Sequence, residues 1–103
     1  MADPIIVTGF LELDPANRSS AIDAMKAMMA ATLAEEGNQG YVFSADLENE
    51  GKFWINEKWA DQASIDSHNA SAHMATFMGT VGGLGVTGVE VVKWDGGVPT
   101  KLM

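Results

Sequence analysis

The chain has 103 residues, 47 % of them apolar, and carries 14 acidic against 6 basic side chains for a formal net charge of −8. That suffices for one domain around one core, is too short for separate substrate and cofactor domains, and is too acidic for nucleic acid or an anionic membrane as partner. The absence of cysteine excludes disulfides, thiolate metal sites and a cysteine nucleophile.

Met1-Ala2-Asp3-Pro4 has neither a basic n-region nor an apolar h-region, so no signal peptide is expected. The longest helix-compatible apolar stretch, Ala27–Ala34, is too short to span a bilayer. A cytoplasmic protein is expected.

Ile5–Leu13 (IIVTGFLEL) reads as a strand with Ile5, Val7 and Leu11 on one face and Ile6 and Phe10 on the other, so both faces call for cover. Asp14-Pro15 ends it, and Asp14 or Asn17 can cap the next helix. Over Arg18–Glu36 the residues Ile22, Met25, Met29 and Leu33 recur at helical steps, and Gly37 is placed to stop the helix. Glu35 and Glu36 would then sit in its last turn, where the helix dipole disfavours anions.

Gly40–Leu47 and Lys52–Trp59 form a predicted hairpin around Glu48-Asn49-Glu50-Gly51. Asp61 can cap a helix from Gln62. The pattern falters at Asn69-Ala70-Ser71 and resumes through Met74, Phe77 and Met78, which predicts two short helices. Gly79–Gly85 reads as a flexible loop, Val86–Trp94 as a fourth strand, and Asp95–Met103 as a loose tail or an arm toward a partner. The order β-α-β-β-α-β is that of an α+β ferredoxin-like sandwich, a four-stranded antiparallel sheet with its helices on one face. Strands apolar on both faces then leave a bare sheet face, and a homodimer packed sheet to sheet is the simplest cover.

Chemistry is concentrated in mid-chain. Glu57 and Trp59, two apart, share a strand face with Phe53 and Ile55, so Glu57 stands in an apolar row and must find a donor or become neutral. His68 is the expected partner, either as a structural link from helix to sheet or as half of an acid/base pair. His73 comes five residues later, about 140° round an ideal helix, so the two imidazoles share a face only if the break re-aims one. Two histidines with Glu57 could on paper hold iron, but they lack the i,i+4 spacing of a helical zinc pair, and no metal site is expected. Gly83-x-Gly85-x-x-Gly88 spells a dinucleotide fingerprint in the wrong context, a helix before and a strand after.

Glu35-Glu36-Gly37-x-x-x-Tyr41, Glu57-x-Trp59 and His68-x-x-Ser71-x-His73 together resemble the antibiotic-biosynthesis-monooxygenase-like domains of the dimeric α/β-barrel superfamily, the quinol monooxygenases among them. Glu36 stands where that family commonly has proline. The resemblance runs from Ile5 to Trp94. It implies a homodimer and a cofactor-free monooxygenase, with O₂ as co-substrate, acting on quinols, anthrones or related polyphenols. On that reading His68 and Glu57 are the catalytic acid/base residues, while Trp59, Tyr41, His73, Met74 and Phe77 contact a small aromatic substrate. A ligand-binding or stress-associated protein without turnover, or a non-redox polyketide cyclase or decarboxylase, would use the same pocket. Haem degradation on this fold would call for an asparagine in the first strand, and Ile5–Leu13 has none.

Overall fold

Alternation in the strands decides the architecture. The computed structural model describes residues 3–103 and contains β1 (Ile5–Leu13), a 3-10 turn (Pro15–Asn17), α1 (Arg18–Leu33), β2 (Asn38–Ala45), β3 (Lys52–Trp59), α2 (Gln62–Asn69), α3 (Ala72–Val81) and β4 (Val86–Trp94). The strands form one antiparallel sheet in the order β2-β3-β1-β4, the expected α+β ferredoxin-like topology. No helix among the described residues is long and apolar enough to cross a membrane.

On β3, Phe53, Ile55, Glu57 and Trp59 are all buried while Trp54, Asn56 and Lys58 between them are exposed, a strict two-residue period. Their partners on β1 in the register, Leu11, Val7 and Ile5, complete the inner face. Two apolar clusters lie between sheet and helices, one around Leu11, Leu13, Met25 and Phe53, the other around Val7, Met28, Tyr41 and Trp59.

Several boundaries differ from the sequence expectation. Helix α1 ends at Leu33 rather than Glu36, and its buried positions are Ala21, Met25, Met28 and Thr32. Leu33, expected in the buried stripe, is exposed. The buried stripe runs Ala21, Met25, Met28 and Thr32, at steps of three and four residues, and leaves Leu33 on the outer face. β2 stops at Ala45, because Asp46 Oδ1 accepts from the backbone N–H groups of Glu48 and Asn49 and closes the turn early.

The glycine-rich stretch is anchored, not a flexible loop. Helix α3 runs through Gly79 to Val81, Leu84 is buried, and the Leu84 carbonyl accepts from Asn17 Nδ2 at 2.9 Å. Asp14 N–H donates to the Gly85 carbonyl at 3.0 Å. The segment Asp95–Met103 is exposed and without regular structure.

Gly37 makes the turn out of α1. Its φ of +85° lies in the left-handed region, and a Cβ there would collide with the Ser64 hydroxyl. Its carbonyl accepts from Ala60 N–H at 2.8 Å, joining this turn to the end of β3. Gly37→Ala is therefore expected to destabilise the fold by more than about 1 kcal/mol, measurable by urea denaturation, and wild-type stability would contradict this account of the turn.

Candidate functional site

Because α1 ends before it, Glu35 sits in the turn and not in the last helical turn. The α1-β2 turn, tied by Glu35 N–H to Thr32 C=O at 2.9 Å and Asn38 N–H to Glu35 C=O at 3.2 Å, directs its side chain inward. There one oxygen, Glu35 Oε2, lies 2.7 Å from His68 Nδ1 and 2.9 Å from His73 Nε2. Two imidazoles on one carboxylate offset the cost of burying it.

The break between α2 and α3 is what lets both histidines reach that oxygen. Ser71 Oγ donates to the His68 carbonyl at 2.7 Å and accepts from Met74 N–H at 3.2 Å. One hydroxyl thus ends α2 and caps α3, turning the second helix so that His73 points back at Glu35. This is the physical content of the His-x-x-Ser-x-His spacing.

The expected pairing of Glu57 with His68 is not made. Glu57 Oε1 accepts from Trp59 Nε1 at 2.8 Å, and His68 spends Nδ1 on Glu35. The indole two residues on, on the same strand face, is the donor that Glu57 takes. Burial raises the Glu57 pKa above its ordinary value, opposed by the Trp59 hydrogen bond and the neighbouring His68 and reinforced by Glu35. Tyr41 is pushed far up, first by burial and then by Glu57 and Glu35, so it stays a neutral phenol able to donate.

A cavity of about 510 Å³ lies between α2, α3 and the sheet and opens along β4. Val7, Phe43, Ile65, Met74, Phe77 and Val91 are among its apolar walls, and Tyr41, Glu57 and His68 are among its few polar ones. The inward-facing residues of β4, Val89 and Val91, stand 62 % and 51 % exposed, because no helix covers that edge of the sheet. The structure thus brings Tyr41, Glu57, His68, Met74 and Phe77 to one cavity.

Two expected contact residues lie elsewhere. Trp59 is fully buried and outside the cavity wall; its ring packs 4.8 Å from the His68 ring and its N–H holds Glu57. His73 lines a separate outer cleft between α1 and α3 instead of the cavity rim. Sequence reasoning assigns Glu35 no role. Its signals are its place at the head of the Glu-Glu-Gly-x-x-x-Tyr motif and an acidic residue at a helix end where the dipole disfavours it.

His68 has its Nδ1 edge on Glu35, which does not line the cavity, while Nε2 is buried with no hydrogen-bond partner among the described residues. With Glu35 ionised and His68 neutral, Nδ1 carries the proton toward the carboxylate and Nε2 is left as an acceptor. The donor atoms of Glu35, His68 and His73 all fall within 4.8 Å, close enough to consider a metal ion. Hydrogen bonding fits better. The N···O separations of 2.7 and 2.9 Å are shorter than the roughly 3.4 Å edge of a tetrahedral site with 2.0–2.1 Å bonds. A metal on Nδ1 would also leave Nε2–H buried without the acceptor that ligating imidazoles normally have.

The family model for antibiotic biosynthesis monooxygenases matches residues 4–80, most of the chain. The chain belongs to this family. Among similar proteins, the Bacillus subtilis (strain 168) protein named "Putative monooxygenase YcnE" is 28 % identical over 74 residues, 72 % of this chain and 78 % of that one. The fold matches the structure of a family protein from Deinococcus radiodurans with a TM-score of 0.90 at 23 % identity, covering 96 % of this chain and 98 % of the other. A Bacteroides thetaiotaomicron VPI-5482 protein, described as a possible oxidoreductase, superposes with a TM-score of 0.83 at 26 % identity over 92 % of this chain and 99 % of that one. Within the family fold, the cavity and its Glu35–His68 brace occupy the space between the helices and the sheet.

A buried carboxyl with a raised pKa costs stability when ionised, and that cost is relieved as pH falls from its native pKa to its ordinary one. Glu57→Gln keeps an acceptor for Trp59 and removes the charge. It is expected to melt higher than wild type at neutral pH, with the gap closing as pH falls through that window. A variant less stable than wild type at neutral pH would show that the ionised form is favoured instead.

Proposed function

We propose that the chain is a cofactor-independent monooxygenase that oxidises a quinol, anthrone or related polyphenol with O₂, working as a homodimer. The observation that carries this reading is His68: it lines the apolar cavity, Glu35 holds its Nδ1, and its buried Nε2 has no hydrogen-bond partner among the described residues. Such a nitrogen accepts the proton of a phenolic or enolic hydroxyl. The resulting electron-rich anion can itself pass an electron to O₂, so the protein's tasks are to deprotonate, orient and desolvate. For an anthrone the balance is CH₂ plus O₂ to C=O plus H₂O, with one oxygen atom kept and the other leaving as water.

In this scheme His68 is the base, and Tyr41, a neutral phenol, donates a hydrogen bond to substrate oxygen. Glu57, its pKa raised by burial, is the second proton carrier in the cavity. Met74 and Phe77 are walls that adapt to a flat ring. Trp59 acts through Glu57 and His68, as a positioning residue.

O₂ uptake with menadiol- and anthrone-type substrates tests the reading. Uptake is expected to match product, to survive chelator treatment, and to fall by roughly 10²- to 10⁴-fold in His68→Ala. Product formed without O₂ would favour the cyclase or decarboxylase reading, and tight binding without product a binding protein. Full activity in His68→Ala would remove the acid/base role.

The dimer reading rests on the sheet face away from the helices. Trp54 and Trp94 are 45 % and 60 % exposed there, beside Phe10 and Val92. That is an apolar surface of the kind a second copy covers. Sedimentation velocity is expected to give a dimer, and Trp54→Glu to shift it toward monomer; a wild-type monomer at micromolar concentration would overturn this.

A further inference from the structure

A base in this cavity needs somewhere to send its proton. His68 is almost completely buried, its side chain only 3 % exposed, so with a ligand filling the cavity a proton taken from it cannot pass from the imidazole straight to water. Glu35 is 15 % exposed and His73 28 %, so exposure increases along the chain His68, Glu35, His73. The two ends of that chain face different spaces. His68 lines the inner cavity, whereas His73 lines the outer cleft with Ser20, Asp23, Thr76 and Thr80. Hydrogen bonds of 2.7 and 2.9 Å to a single oxygen connect them through the wall.

We propose that Glu35 and His73 form a proton relay joining the inner cavity to the outer cleft, with His68 as its inner terminus. The relay rests on the reading of His68 as a base. The ligand's O–H proton passes to His68 Nε2, its bonding pair staying on the ligand oxygen as phenolate. His68 Nδ1 gives its proton to Glu35 Oε2. Exposed His73 exchanges tautomers through water, which lets its Nε2 take the Glu35 proton and its Nδ1 release one to solvent. The sum of this half-cycle is one proton moved from ligand to bulk water, with the three side chains at their starting charges and His68 left as its Nε2–H tautomer. The reverse passage returns a proton for the water that leaves and restores the Nδ1–H tautomer.

The other titratable groups at the two ends fit this direction. Tyr41 and Glu57 face His68 from β2 and β3, and neither makes a hydrogen bond to Nε2 that would divert the proton. Asp23 stands in the outer cleft with His73, an anion on the side where the proton leaves.

The test uses 4-nitrophenol, whose phenolate absorbs in the visible, mixed without O₂ in weak buffer holding a pH indicator. In wild type the phenolate band and the released proton are expected to appear together. His73→Phe and His73→Gln should still form the band at equilibrium. Gln keeps an N–H donor toward Glu35 but cannot carry a proton, so it also controls for lost packing. In both variants release is expected to be roughly a hundredfold slower, the low end of what a positioned proton carrier contributes. Added imidazole should restore it, which a merely structural role would not allow. Release as fast as wild type in either variant overturns the relay and leaves the base reading standing. A wild-type protein that forms no phenolate band, or a band that persists in His68→Ala, overturns the base reading and the relay with it.

Discussion

One carboxylate oxygen shared by two imidazoles holds the site together. Glu35 Oε2 accepts from His68 and His73 at once, and each consequence stems from that. It anchors the α1-β2 turn to both helices of the second helical region. It holds His68 by Nδ1, and so leaves Nε2 buried with no hydrogen-bond partner among the described residues. Charge-assisted hydrogen bonds of this kind contribute about 1.5–3 kcal/mol each, enough to hold two side chains in one geometry and to compensate a partly buried anion. The supports are local: Gly37 turns the chain so that Glu35 points inward, and Ser71 breaks the helix so that His73 can reach the same oxygen.

A domain this small obtains a cavity by leaving its sheet partly uncovered. Helices α1, α2 and α3 lie over β1, β2 and β3, and the inward face of β4 is left as an open apolar wall. The result is a mostly apolar space with Tyr41, Glu57 and His68 among its few polar groups, of which His68 is held by Glu35 and Glu57 by Trp59. The two carboxyls are treated differently by their surroundings. Glu35 is met by two imidazoles, while Glu57 is met by one indole N–H and by burial that pushes it toward the neutral acid. Environments that separate the behaviour of paired acids are the usual ground for dividing proton tasks between them.

How much of this was legible in the sequence depends on the range of the interaction. The four strands, the Asp61 helix start and the break at Asn69-Ala70-Ser71 were readable, because alternation and capping are written within a few residues. The face of β3 carrying Glu57 and Trp59 was readable for the same reason. The end of α1 was misplaced by three residues, since its alanines continue a helical pattern past the point where the turn begins. The Gly79–Gly85 segment looked loose because its anchors, Asn17 and Asp14, are some seventy residues away.

The sequence by itself determined the topology, the strand faces and the residue types from which a site could be built, because each depends on local periodicity or on a motif of known spacing. Only the tertiary structure decided which of them meet. Glu35 is 33 residues from His68 and 38 from His73, and no local pattern encodes a contact at that separation. Glu57 turned to Trp59 beside it and Glu35 took both histidines, because in a packed interior each buried donor goes to the acceptor the fold brings within reach.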